Sequence, residues 1–216
     1  MDEVAWLAAT DPATMMEYAR DAVSERKQRL VVCAAGRLVW DRLPDVARRA
    51  VEVGERMADG PVDGDERCDT DIDCYMFCNE MNTDPAPPQL SPEQRAVVSI
   101  AQQAVDSGYL FDPRIYLWTT MAVEAGVRSH LPGLFREVVG NPFRPVAVAP
   151  EWRTSDAVGV AEAIYAGRDY GALPVLADAL EDAGCDHGEL LSHLRGPGEH
   201  VRGCWALDAV LGRVVV

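Results

Sequence analysis

Residues 185–205 read CDHGELLSHLRGPGEHVRGCW. They hold three of the chain's four histidines, His187, His193 and His200, between two of its six cysteines, Cys185 and Cys204. Thiolate and imidazole are the usual donors to zinc, which takes four ligands in a tetrahedron. If a last helix runs from 199 to 212, then His200, Cys204, Leu207 and Leu211 share one face of it. Cys185 and His193 flank a short preceding helix that must pack against the last one. Cys185, His193, His200 and Cys204 are therefore a candidate Cys₂His₂ zinc site tying two helices together, with His187 able to replace His193. No paired CxxC knuckle supports the spacing. Two other readings compete. A cysteine on a leucine stripe behaves as a small buried hydrophobe, and histidines beside loops serve as caps. Alternatively, Cys204 and His200 supply thiolate and imidazole for nucleophilic catalysis. That chemistry requires an exposed cysteine in an electropositive field, which Arg195 and Arg202 could provide.

A second cluster is CDTDIDCYMFCNE, residues 68–80. Asp69, Asp71, Asp73 and Glu80 match four oxygen-ligand positions of a calcium-binding loop. The glycine that makes the sharp turn in such a loop is replaced by Cys74. Cys68, Cys74 and Cys78 interleave with the acids and could hold a soft metal or form a disulfide that pins the segment. The plain alternative is a solvated acidic loop. Elsewhere there is no phosphate-binding glycine loop, no dinucleotide fingerprint, no GxSxG and no HExxH. Glu124, Glu137 and Glu162 fall in expected helices, but none has the Glu-x-x-His partner of a di-iron bundle.

The elements that must position these residues read as helices. Asp11 and Pro12 open one, as N-cap and first-turn proline. The stretch ERKQRLVVCAAGRLVWDRL follows in helical rhythm. PDVARRAVEVGERMADG begins on proline and ends on glycine. SPEQ at 91–94 is a capping box. DPRIYLWTTMAVEAGVRSHL starts a further helix at Asp112 and Pro113, and LPGLFREVVG is a short one. NPFRPVAVAPEW is punctuated by proline and reads as loop. The last third divides into helices at 155–167, 172–183, 187–195 and 199–212. No strict alternation marks a strand. The expected fold is all-α, an irregular helical bundle or stacked helical hairpins with one long acidic Cys-rich loop. It divides into an N-terminal helical part (1–60), the acidic Cys-bearing insertion (61–90) and a C-terminal helical part (91–216), expected to make one compact domain overall.

Composition narrows the function classes. Of 216 residues, 48% are hydrophobic and 25% charged, enough for a soluble core, and the net charge is −15. So acidic a surface repels phosphate backbones and anionic membranes, which argues against nucleic-acid and membrane binding. Lys27 stands alone beside nineteen arginines, a skew that GC-rich codon usage produces. MDEVAWLAATDP lacks the basic and apolar regions of a signal peptide, and no stretch is apolar enough to span a bilayer. The expected localisation is cytoplasmic, where cysteines serve as thiols or metal ligands more than as disulfides.

Several landmarks occur together: WLAATDPATMMEYAR, SERKQRLVVCAAGRLVWDRL and AVEVGERMADG near the start, then GNPFRPV, AIYAGRDYGALPVLADALEDAGC and HLRGPGEHVRGCWALDAVLG near the end. Through them the chain resembles an uncharacterised bacterial family of helical hypothetical proteins, over residues 4–58 and 134–213. Members tend to carry extra cysteines after the one that matches Cys33, where this chain has CAAG. The resemblance implies a helical fold unit and a cytoplasmic setting, and it brings no activity. Lacking any catalytic motif, the chain is expected to be a non-enzymatic cytoplasmic binding or adaptor module, zinc-stapled, with a protein partner. The alternative is a metal-dependent or cysteine-based enzyme acting through His200 and Cys204.

Overall fold

The computed structural model describes residues 1–80, 91–105 and 126–213. Among these there are eleven α-helices joined by short 3₁₀ turns, and no strand, so the fold is all-α. The helix expected after Asp112, with Glu124 on it, lies outside the described residues, as does the end of the acidic segment, 81–90. The chain forms two compact units, Met1–Phe135 and Arg136–Val216. The acidic segment belongs to the first unit.

The first unit holds α1 (Glu3–Ala8), α2 (Pro12–Ala22), α3 (Glu25–Leu38), α4 (Asp45–Asp59), α5 (Gly64–Glu80) and α6 (Pro92–Gln103). Their starts follow the local chemistry. The Asp11 carboxylate accepts from the Ala13 N–H, and Ser91 and Gln94 form a reciprocal capping box. Helices α3, α4 and α6 pack against one another around Leu30, Val31, Val51, Val53, Ile100 and Ala101. Gly54 permits a close approach, since a Cβ there would stand 2.6 Å from that of Ala104. The Arg29 guanidinium donates to the Ala104 carbonyl, and Arg37 makes a two-pronged ion pair with buried Glu55, joining α3 to α4.

The acidic Cys-bearing segment is a helix and not the expected loop. Gly64–Glu80 is one continuous α5. Asp63 caps it by accepting from the Asp65 and Glu66 N–H groups, and acids in the first turn favour the positive end of the helix dipole. Its only glycine is the first residue, Gly64, and it contains no proline, so nothing interrupts the backbone bonds. Thr70 and Cys74, one turn apart, are fully buried, and Cys74 reaches the Val46 carbonyl of α4.

Helix α7 (Leu131–Val139) contains the divide. The second unit continues through an irregular stretch to α8 (Ser155–Gly167), α9 (Leu173–Asp182), α10 (Gly188–Arg195) and α11 (Trp205–Leu211). Its core joins Ala161, Ile164, Leu176, Leu180, Leu194 and Leu207. The last helix is shorter than the expected 199–212. Gly196, Pro197 and Gly198 interrupt the backbone after α10, and Gly203 takes a φ of 91°, so α11 begins only at Trp205 with Cys204 in the N-cap position.

Candidate metal centre

Four side chains of the second unit converge: Glu137 from α7, His193 from the last turn of α10, His200 from the connection, and Cys204 at the start of α11. One donor atom of each lies within 4.8 Å of all the others. His193 Nε2 is 3.2 Å from Cys204 Sγ and 3.4 Å from Glu137 Oε2. His200 Nδ1 is 3.0 Å from Glu137 Oε1. The two imidazoles meet edge to face at 5.0 Å, and the Trp205 ring lies 4.8 Å from that of His193. The set is largely shielded from water. Cys204 is fully buried, the His200 side chain is 6% exposed, and the His193 side chain, at 21%, is the most open.

The electrostatics revolve around Glu137. Burial is the largest single influence on its carboxyl and would raise it. Hydrogen bonds from His193 and His200, with their charges, together outweigh burial and bring it down to about 2. The hydrogen bond to Glu137 and its charge in turn raise His200 against the opposing effect of burial, and the Gly196 backbone adds to that rise. His200 Nε2 is itself buried without a hydrogen-bond partner. The Cys204 thiol is pushed well above its usual range, first by burial and then by the Glu137 charge; the Leu207 and Ala206 backbones pull the other way without prevailing. The four groups form a set that could hold a metal ion.

Three of the four expected ligands, His193, His200 and Cys204, belong to this group, and Cys185 does not. Cys185 sits in the apolar core between α9 and α10, its N–H bonded to the Leu180 carbonyl. His187, the expected substitute, is the N-cap of α10 and accepts from the Leu190 N–H. The shared helical face expected for His200 and Cys204 is also corrected, because neither residue lies inside α11. The fourth member of the group, Glu137, is not among the residues that spacing picks out. It lies 63 residues from His200, a separation no spacing rule spans, and its only signal is a carboxylate followed by two valines in FREVV.

The second cluster does not assemble. On a continuous helix Asp69, Asp71 and Asp73 cannot wrap around one ion as the calcium loop requires. Asp71 accepts from Gln102, and Asp73 pairs with Arg49. Cys68 is exposed while Cys74 is buried, and burial pushes the Cys74 thiol up to about 12. The Glu80 side chain lies outside the described residues. Among those residues the one convergent metal-type group is that of Glu137, and none of the six cysteines is in a disulfide. No described helix is long and apolar enough to cross a membrane. No family model matches the chain, and neither a curated protein nor a solved structure matches it.

Proposed function

We propose that Glu137, His193, His200 and Cys204 hold a structural zinc ion, and that the chain is a zinc-stapled binding or adaptor module. The carrying observation is the convergence of four donor atoms, from separate pieces of the chain, within 4.8 Å. A tetrahedral ion with bonds of about 2.0–2.3 Å needs its donors roughly 3.3–3.7 Å apart. The contacts of 3.0, 3.2 and 3.4 Å fall at or near that range without an ion. Thiolate, imidazole and carboxylate are all zinc donors, and four protein ligands leave no open position for substrate, which is the pattern of a structural site. A cation would also reverse the state of Cys204, since a coordinating thiol is deprotonated. The connection at 196–203 has no helix to hold it, so an ion gripping His200 and Cys204 would close it onto α7 and α10.

The enzyme reading has one observation in its favour, the thiol–imidazole contact between Cys204 and His193. Burial of that thiol, and the Glu137 charge beside it, oppose a nucleophilic thiolate. Arg195 is engaged by Asp178 and Glu181, and Arg202 lies over the Tyr165 ring.

Elemental analysis of the purified chain tests the proposal. One equivalent of zinc is expected, lost in Cys204→Ser and His200→Ala, with chelation lowering the melting temperature. Protein that carries no zinc and whose melting is indifferent to chelator overturns it. A Cys204 that reacts rapidly with iodoacetamide at neutral pH would favour the enzyme.

A further inference from the structure

Helix α5 carries two apolar faces. The face with Thr70 and Cys74 is buried and packs on α4 and α6. The opposite face presents Cys68, Ile72 and Met76, one turn apart in sequence, with Tyr75 beside them. Ile72 is 55% exposed, Tyr75 59% and Met76 44%, and Cys68 is exposed as well. The neighbouring row around the helix is Asp65, Asp69 and Asp73, all exposed and repeating at the same spacing. An apolar row and an acidic row thus run side by side along a helix about 25 Å long. A surface that gathers large apolar side chains in one stripe, where single scattered ones are the norm, is the mark of an interaction site.

We propose that this face of α5 docks an amphipathic helix of a protein partner, one with apolar anchors at single-turn spacing and arginines or lysines along one flank. Charge complementarity selects that occupant. The anchors would cover Cys68, Ile72 and Met76 while the basic flank meets Asp65 and Asp69, with Asp73, which pairs with Arg49, at the end of the row. A second copy of this chain is the poorer fit, since each carries a net charge of −15 and would bring the same acidic row with it.

The test uses the full chain and a labelled synthetic helix of about five turns, with leucines at the anchor spacing and lysines on one flank. A peptide of the same composition in scrambled order is the control, and fluorescence anisotropy is the readout. Saturable binding is expected, at least about tenfold weaker for the scrambled peptide. Ile72→Ser with Met76→Ser is expected to weaken it by a similar factor, and Asp65→Asn with Asp69→Asn to flatten its salt dependence. These side chains are exposed, so far-ultraviolet circular dichroism should be unchanged; the aspartate pair tests the face independently of the apolar pair. Equal binding of both peptides, or binding indifferent to both pairs of substitutions, overturns the proposal. So does a dimer in sedimentation that Ile72→Ser with Met76→Ser dissolves, which would give the face to a second copy. The inference rests on the reading of the chain as a binding module but not on the zinc site, so absent peptide binding in protein that keeps its zinc counts against this face alone.

Discussion

His193 Nε2 stands 3.2 Å from Cys204 Sγ, although the two are eleven positions apart in the chain with a broken helix between them. The contact depends on that break. The Gly196–Pro197–Gly198 interruption ends α10, and the turn at Gly203 swings the chain back so that Cys204 opens α11 beside the ring it left behind. A continuous helix from 193 would have put about three turns, or some 16 Å, between the two residues.

The ligand set is the first point at which substitution can decide. Cys185→Ala is expected to leave zinc content unchanged and to cost about 1 kcal/mol, as a small change in the core. Glu137→Gln keeps the shape and removes the charge, and it is expected to weaken zinc at least about tenfold, near 1.4 kcal/mol. Competition with a colorimetric chelator measures both. Zinc lost from Cys185→Ala and kept by Glu137→Gln would return the site to the set read from spacing.

His200 and Glu137 also set a pH dependence for the metal-free protein. The Glu137 carboxyl falls from 4.5 to about 2 on folding, so its contribution is present above 4.5 and is lost as pH drops toward 2. His200 is raised above 6.5, so its contribution is present below 6.5 and is lost as pH climbs through the raised value. Thermal melts of chelated protein are expected to peak between these limits. Zinc-loaded protein should instead gain stability through neutral pH, because its ligands bind only deprotonated. Coincident pH profiles with and without zinc would contradict this.

Much of this architecture could be read in the sequence where the signal is local. Asp11 and Ser91 cap as their residue types require, and His187 proves to be a cap. Helix α5 escaped because its apolar residues lie on two opposite faces, Thr70 and Cys74 on one and Ile72 and Met76 on the other. No single-sided stripe forms, and a dense acidic composition then reads as loop. One member of the four-residue group, Glu137, escaped for a different reason. Glu137 reaches His193 and His200 only through tertiary packing, and Cys185 lay near them in sequence but turned into the core.

In the first unit the Arg37–Glu55 pair is expected to be the costliest polar contact to break. Its bonds are 3.0 and 2.7 Å, and Glu55 is 2% exposed. Glu55→Gln would leave a partly buried guanidinium short of its counter-charge, at a cost of about 2–4 kcal/mol, below the full figure for a wholly buried pair because Arg37 retains some solvent. Urea denaturation measures it, and a loss under about 1 kcal/mol would place the pair in the surface class.

Gly140 tests whether the metal centre depends on its surroundings as well as its ligands. It ends α7 three residues after Glu137 with a φ of 75°, and a Cβ there would stand 2.9 Å from Cγ of Trp205. That indole lies against His193. Gly140→Ala therefore combines two effects, strain in the left-handed region of about 1 kcal/mol and displacement of Trp205. Gly184→Ala separates them, since its φ is 87° and nothing stands within 4 Å of the added carbon. Both variants are expected to lose the strain energy in denaturant melts. Only Gly140→Ala should also release zinc more readily to a chelator, because moving Trp205 frees the His193 ring to turn away from Cys204 and Glu137. Equal zinc retention in the two variants would show that His193 is held by its ligand contacts alone.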